Sequence, residues 1–246
     1  MDRVTSPSRH SLVLAAARNN ADWCAAVGRA HGLPGAFGGT AWTSADRTPL
    51  YYPDAVTLHP GAAPADFLPH IDTASPGCSV KDSFATLDLG PDGFTELFGA
   101  QWIHRPAGAP VPATPRLRPA PVRSDAGLSA WQAAWHGEGD ADGDAPDVFR
   151  PALLAEPSVL VLAVYDGSVL VGGAVLNSGA GLVGLSNLFA VDDADQAEVR
   201  SCVLRAAAEH FPGLAVVGYE HGDDLAAALD SGFTAIGPLR IWLHGA

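Results

Sequence analysis

VLVLAVYDGSVLVGGAVLNSGAGLVGLSNLFAV, residues 159–191, is the stretch whose reading decides the fold. It holds three apolar runs, Val159–Tyr165, Val169–Leu176 and Leu182–Val191, separated by Asp166-Gly167 and by Asn177–Ala180. Asp-Gly between two such runs is a hairpin signal, because both central positions of the tight turn need a positive φ. Asp166-Gly167 and Gly172-Gly173 would break a spanning helix, which needs about 20 uninterrupted apolar residues. The stretch therefore reads as a three-strand antiparallel meander.

Downstream, Glu198–His210 places Val199, Cys202, Val203 and Ala206 on one helical face, and Phe211-Pro212-Gly213 ends that helix. Leu214–Tyr219 is a continuous apolar strand, Asp223–Asp230 a short helix and Thr234–Leu243 a last strand. Upstream, Arg116–Val122 reads as a strand, Asp125 starts a helix carrying Leu128, Trp131 and Trp135, and Val148–Leu154 is a second helical patch. The order is β-α-α-β-β-β-α-β-α-β. Six prolines between Pro106 and Pro121 mark an extended connector. It divides the chain into an N-terminal lobe (1–105), a linker (106–115) and a second domain (116–246). In the lobe, Asp22–His31 reads as a capped helix and Ala55–Leu58, Ser79–Phe84 and Gln101–His104 as short strands. Leu12–Ala17 follows Arg3 and Arg9, but six apolar residues are short for a signal peptide and read as helix.

Charge excludes a function class. With 14 Lys and Arg against 27 Asp and Glu, the net charge is −13, and no basic stripe offers a nucleic-acid face. Lys81 is the only lysine. Cys24, Cys78 and Cys202 are scattered, which fits a reducing cytoplasm, and neither they nor the histidines show metal-ligand spacing. Asp140, Asp142 and Asp144 imitate a calcium loop. Ala145 and Pro151 stand where such a loop needs Gly and Glu, so a solvated acidic loop is expected. No G-x-S-x-G elbow and no Gly-rich phosphate loop after a strand occurs. No metal, nucleic-acid or membrane partner is expected, and the composition leaves room for a homo-oligomer.

The element order over residues 116–243 resembles the GNAT superfamily of acyl-CoA-dependent N-acetyltransferases. Two sequence details share in that resemblance: the strand ending Leu188-Phe189-Ala190-Val191 leads into a helix, and Ser231-Gly232-Phe233 precedes the last strand. The resemblance implies an α/β fold built on a mixed sheet, with residues 1–105 as an accessory or degenerate GNAT-like lobe. Ser79–Phe84 followed by Gly93-Phe94 and Leu97–Arg105 is similar to a GNAT ending, which suggests a tandem. The implied cosubstrate is acetyl-CoA or another acyl-CoA, and the implied partner is a small amine.

By the same resemblance, the backbone of Leu188, Phe189, Ala190 and Val191 would pair with pantetheine. Gln196, Ala197, Glu198, Val199, Arg200 and Ser201 would form the pyrophosphate turn, with Val199 in place of the central glycine. Asp192, Asp193, Asp195 and Glu198 surround that turn with negative charge. The family's usual tyrosine acid is replaced by Ala228, which leaves Tyr219, Glu220 and His221 as the candidates for proton transfer. Trp131, Trp135 and His136 sit on the helix that frames the acceptor, although Leu128, Trp131 and Trp135 at i, i+3 and i+7 have the spacing of a face packed into the core. Trp42, Arg47, Tyr51, Tyr52 and Asp54 form a polar-aromatic cluster suited to a ligand wall. The competing expectation is a non-catalytic GNAT-like binding or interaction module.

Overall fold

From Arg9 to Ala30 the chain is rich in alanine and free of proline, and it folds as one 22-residue helix, α1. The computed structural model describes residues 8–137, 147–191 and 194–245. Ser8 caps α1, its hydroxyl accepting from the Ser11 amide. Asp22, expected at the helix start, lies inside it and pairs with Arg18 one turn earlier. The Leu12–Ala17 run is helical as expected.

The remaining elements of the first half are β1 (Ala36–Phe37), β2 (Ala41–Thr43), β3 (Ala55–Thr57), α2 (Pro64–Phe67), β4 (Ser79–Asp82) and β5 (Phe94–Arg105). The second half supplies β6 (Leu117–Pro121), α3 (Asp125–His136), β7 (Val159–Asp166), β8 (Val169–Gly179) and β9 (Leu182–Ala190). It continues with α4 (Gln196–His210), β10 (Ala215–Glu220), α5 (Gly222–Asp230) and β11 (Thr234–His244). The meander is antiparallel, as the sequence indicates, and β10 runs parallel to β9. The second helical patch is a short 3-10 turn, Pro151–Ala155, opened by Pro151. The β8–β9 turn is tighter than expected, with Ala180 and Gly181 both at positive φ, so Asn177 belongs to β8. The imitation calcium loop falls largely outside the described residues. No described helix is long and apolar enough to cross a membrane.

Among the described residues, eleven strands form one sheet, in the order β1-β2-β3-β4-β11-β5-β10-β9-β8-β7-β6. Two strands are exchanged between the halves: β5 lies against β10, and β11 lies against β4. Outward from the antiparallel β5–β11 pair, each side repeats one pattern. First comes an antiparallel neighbour (β4 or β10), then a parallel one (β3 or β9), then antiparallel strands. The halves are thus related by a pseudo-two-fold at β5–β11. The Pro-rich stretch carries the chain from mid-sheet β5 to edge strand β6, which explains its extended composition.

Both faces of the central sheet are covered. Along β7, Val161 and Ala163 enter one core with α1 and α3, while Leu162 and Val164 enter another with α4 and α5. This two-sided burial is why these strands read as unbroken apolar runs. Helix α1 is pinned to the second half by a buried pair of asparagines. Asn19 Nδ2 donates to the carbonyls of Asn177, Gly179 and Leu182 at 3.3, 3.1 and 3.4 Å, and Asn177 Nδ2 donates back to Asn19 O at 3.1 Å. Gly184 must lack a Cβ, which would collide with both asparagine side chains.

Candidate active site

Strands β9 and β10 are hydrogen-bonded only where Ala215–Val217 face Leu182–Gly184; beyond Gly184 and Val217 they part. The cause lies in β9. Its register against β8 shifts between Gly173/Phe189 and Val175/Ser186, and Asn187 within the shift adopts a positive φ of 52°. Such a bulge bends a strand away from its neighbour. It leaves the facing backbone edges of Leu185–Leu188 and Tyr219–Glu220 unpaired across a cavity of about 290 Å³. Unpaired amide and carbonyl groups beside a cavity are ready partners for an extended amide-bearing chain.

Of the four residues assigned to pantetheine, Leu188 lines this cavity, whose β9 wall runs back to Leu185. Phe189 turns its ring the other way, edge-on to Trp131 at 5.2 Å. Ala190 and Val191 lie beyond the cavity wall.

All three residues of the Tyr219-Glu220-His221 run reach the cavity. Their side chains alternate across β10. Tyr219 faces the α1 side, edge-on to Trp102 at 5.7 Å, while Glu220 faces α4. Burial pushes the Glu220 carboxyl up to about 7; Arg200, with Nη1 at 4.0 Å from Oε1, opposes that rise, and Asp224 adds to it. A carboxyl poised near neutrality can accept and return a proton. His221 precedes α5 with its ring 5.0 Å from that of Phe98.

On the tyrosine side stands a residue that sequence reasoning did not single out for the site. Lys81 of β4 is 3% exposed. Its Nζ donates to Asn20 Oδ1 at 2.7 Å and lies 4.1 Å from the centroid of the Tyr219 ring. The β4 register and the helix α1 bring it there, and no local motif could reveal that. A second, larger cavity of about 690 Å³ adjoins the first, sharing Tyr51, Tyr52, Lys81, Phe98 and Tyr219 with it. The polar-aromatic cluster of the first half contributes Arg47, Tyr51 and Tyr52 to this wall. Tyr52 reaches Asn187 at the bulge, its hydroxyl 3.4 Å from Oδ1.

The expected acceptor wall lies elsewhere. Trp131 is fully buried, with its indole N–H donated to Leu162 O at 2.9 Å, and it belongs to the core. Trp135 and His136 line neither cavity; Trp135 instead meets Tyr51 edge-on at 5.8 Å. Ala228 is fully buried among apolar side chains.

The start of α4 was the other expected binding element. Asp195 caps it, its Oδ1 accepting from the Ala197 and Glu198 amides at 2.8 and 3.2 Å. Gln196 donates to Asp224 at 3.2 Å, and Val199 is buried against Gly172. Arg200 is 1% exposed and turned inward to Glu220, with its Nε unpartnered. Ala197 and Glu198 thus lie in the first turn, their amides taken by Asp195. The first-turn donors that would meet a pyrophosphate are held by the chain's own carboxylate. The unpaired strand edges fit a pantetheine arm; the first turn of α4 does not fit a diphosphate. No group of three or more metal-ligating side chains gathers among the described residues.

No protein-family profile and no curated protein matches the sequence. Among solved structures, a GCN5-related N-acetyltransferase from Kribbella flavida is similar with a TM-score of 0.61 and 16% identity, over 92% of this chain and 95% of that one. A GNAT-family protein from Novosphingobium aromaticivorans is similar with a TM-score of 0.55 and 13% identity, over 93% and 98% of the two chains. The chain has the GNAT fold, and the likeness extends through both halves rather than residues 116–243 alone.

Proposed function

We propose that the protein is an acyl-CoA-dependent N-acyltransferase acting on a small amine, with its reaction centre where β9 parts from β10. The observation that carries this reading is the cavity bounded by two unpaired backbone edges and reached by Glu220. Leu185–Leu188 and Tyr219–Glu220 would hold the pantetheine arm through main-chain hydrogen bonds, which tolerate drift in side chains. The bound thioester supplies an activated acyl group.

The chain's own task is positioning and proton movement. Backbone N–H groups at the bulge would polarise the acyl carbonyl, and the cavity walls would hold the acceptor nitrogen against it. Glu220 as carboxylate takes a proton from the acceptor nitrogen. The nitrogen forms a bond to the acyl carbon as the carbon–sulfur bond breaks, and the departing sulfur takes up one proton, so charge and protons balance. With Ala228 in place of the tyrosine acid, that last proton is the one held by Glu220, passed to sulfur directly or relayed through a water near His221. Tyr219 serves as the floor under Lys81, its ring engaged by the ammonium.

One observation favours a second reading, a non-catalytic ligand-binding or interaction module: the occupied cap of α4. Two measurements decide between them. Calorimetric titration with acetyl-CoA should give saturable heat in the micromolar range, and a free-thiol readout over an amine panel should show acceptor-dependent release. Absence of both supports the binding module.

A further inference from the structure

Lys81 is the chain's only lysine and has no carboxylate partner among the described residues. Its recorded contacts are one amide oxygen and one aromatic face. Burying an ammonium without a counter-ion is costly, and proteins rarely retain one without use. Asn20 occupies one of its three N–H donors, and the ring of Tyr219 shields a side. The residue lines both cavities at once, so a donor is left for a ligand in either. From this junction the smaller cavity leads to Glu220 and the parted strands. The larger one runs between apolar groups, among them Leu50, Tyr51, Phe98 and Leu243.

A ligand matching these three directions has an anionic group at Lys81, an amine toward Glu220 and an apolar body in the large cavity. We propose that Lys81 recognises the carboxylate of the acceptor, and that the acceptor is an amino acid with a large apolar side chain. This deepens the acyltransferase reading and rests on it for the amine; recognition of the carboxylate stands on the buried ammonium alone. A zwitterion also suits a chain of net charge −13 better than an anion would.

Matched acceptors test the proposal. With acetyl-CoA as donor and free thiol as readout, phenylalanine should exceed both phenylalaninamide and phenethylamine in kcat/KM by about ten-fold or more, the scale of one charged hydrogen bond. In Lys81→Met the ratio should fall to about one. Phenethylamine equalling phenylalanine in the wild type, or a folded Lys81→Met that keeps the preference, overturns the proposal. If no amine is acylated, the acyltransferase reading fails, and carboxylate recognition is then read by calorimetry alone. Wild-type protein should bind N-acetylphenylalanine at least about ten-fold tighter than its amide. Equal affinities, or no binding of either, overturn it. The acid–amide comparison on wild-type protein decides the question if Lys81→Met does not fold.

Discussion

The two halves place a parallel strand pair at equivalent positions about the β5–β11 axis, and only one of these pairs opens. In the second half, β9 bulges at Asn187 and leaves β10, so two backbone edges face a cavity. In the first half, Thr57 closes the same place. Its hydroxyl, 3.5 Å from Lys81 O, also accepts from the Ser83 amide at 2.8 Å, bridging from the end of β3 to β4 and beyond. Asp82 then ties down the Leu87 amide at 2.9 Å. The second half follows its strand with the 15-residue α4, the first only with the four-residue α2. One architecture used twice has thus opened onto a cavity on one side. On the other it supplies a buttress that reaches across with Lys81, Tyr51 and Tyr52.

The largest expected effect is on the open side. Glu220→Gln should lower kcat/KM by about 100-fold or more, the usual scale for a lost general base. The wild-type rate should fall as pH drops below about 7, because protonation removes the base, and the variant should lose that limb. Stability carries the opposite sign. The folded-state value lies above the ordinary 4.5, so this group's stabilising contribution is complete below about pH 4.5. It is lost as pH rises through about 7. Denaturant titrations across that range should show the wild type losing stability relative to Glu220→Gln as pH rises.

Next in size is Val199→Gly. Family resemblance alone would treat it as restoring a phosphate-binding glycine, but Val199 is 1% exposed and packs over Gly172. The substitution should cost about 3 kcal/mol by opening a cavity and weakening the helix. It should not raise acetyl-CoA affinity, because Asp195 still occupies the amides. A calorimetric affinity gain would show that α4 does hold the diphosphate.

Asn19→Ala cuts the buried contact by which α1 holds the β8–β9 turn, and should cost about 2 kcal/mol in chemical denaturation by leaving buried groups unpaired. Coupling to Asn177→Ala in a double-mutant cycle should be of similar size. Thr57→Val addresses the closed pair and should cost only about 1 kcal/mol, without any change in acyl transfer. A loss of activity there would mean that the first half's closure matters to the chemistry.

The contrast between halves also governs what the sequence discloses. Strands β7 to β9 are long, doubly buried and punctuated by Asp166-Gly167, so periodicity and turn chemistry name them directly. Strands β1 to β3 have two or three residues each and offer no period to read. The exchange of β5 and β11 depends on pairing between segments more than 100 residues apart, which no local pattern records. At the site, Glu220 and His221 are legible because they end an apolar strand, whereas Lys81 is visible only as the single lysine. Trp131 and Trp135 have the spacing of a packed helix face, and Trp131 is fully buried as that spacing implies.

The central claim is that an acylated pantetheine arm enters between β9 and β10 and nowhere else. Hydrogen–deuterium exchange with and without acetyl-CoA tests it most directly. Slowed exchange should be confined to the amides of Leu185–Leu188 and Tyr219–Glu220, with Ala55–Thr57 and Ser79–Asp82 unchanged. Unaltered exchange at the parted strands under saturating ligand, or protection at β3 and β4 instead, would contradict it.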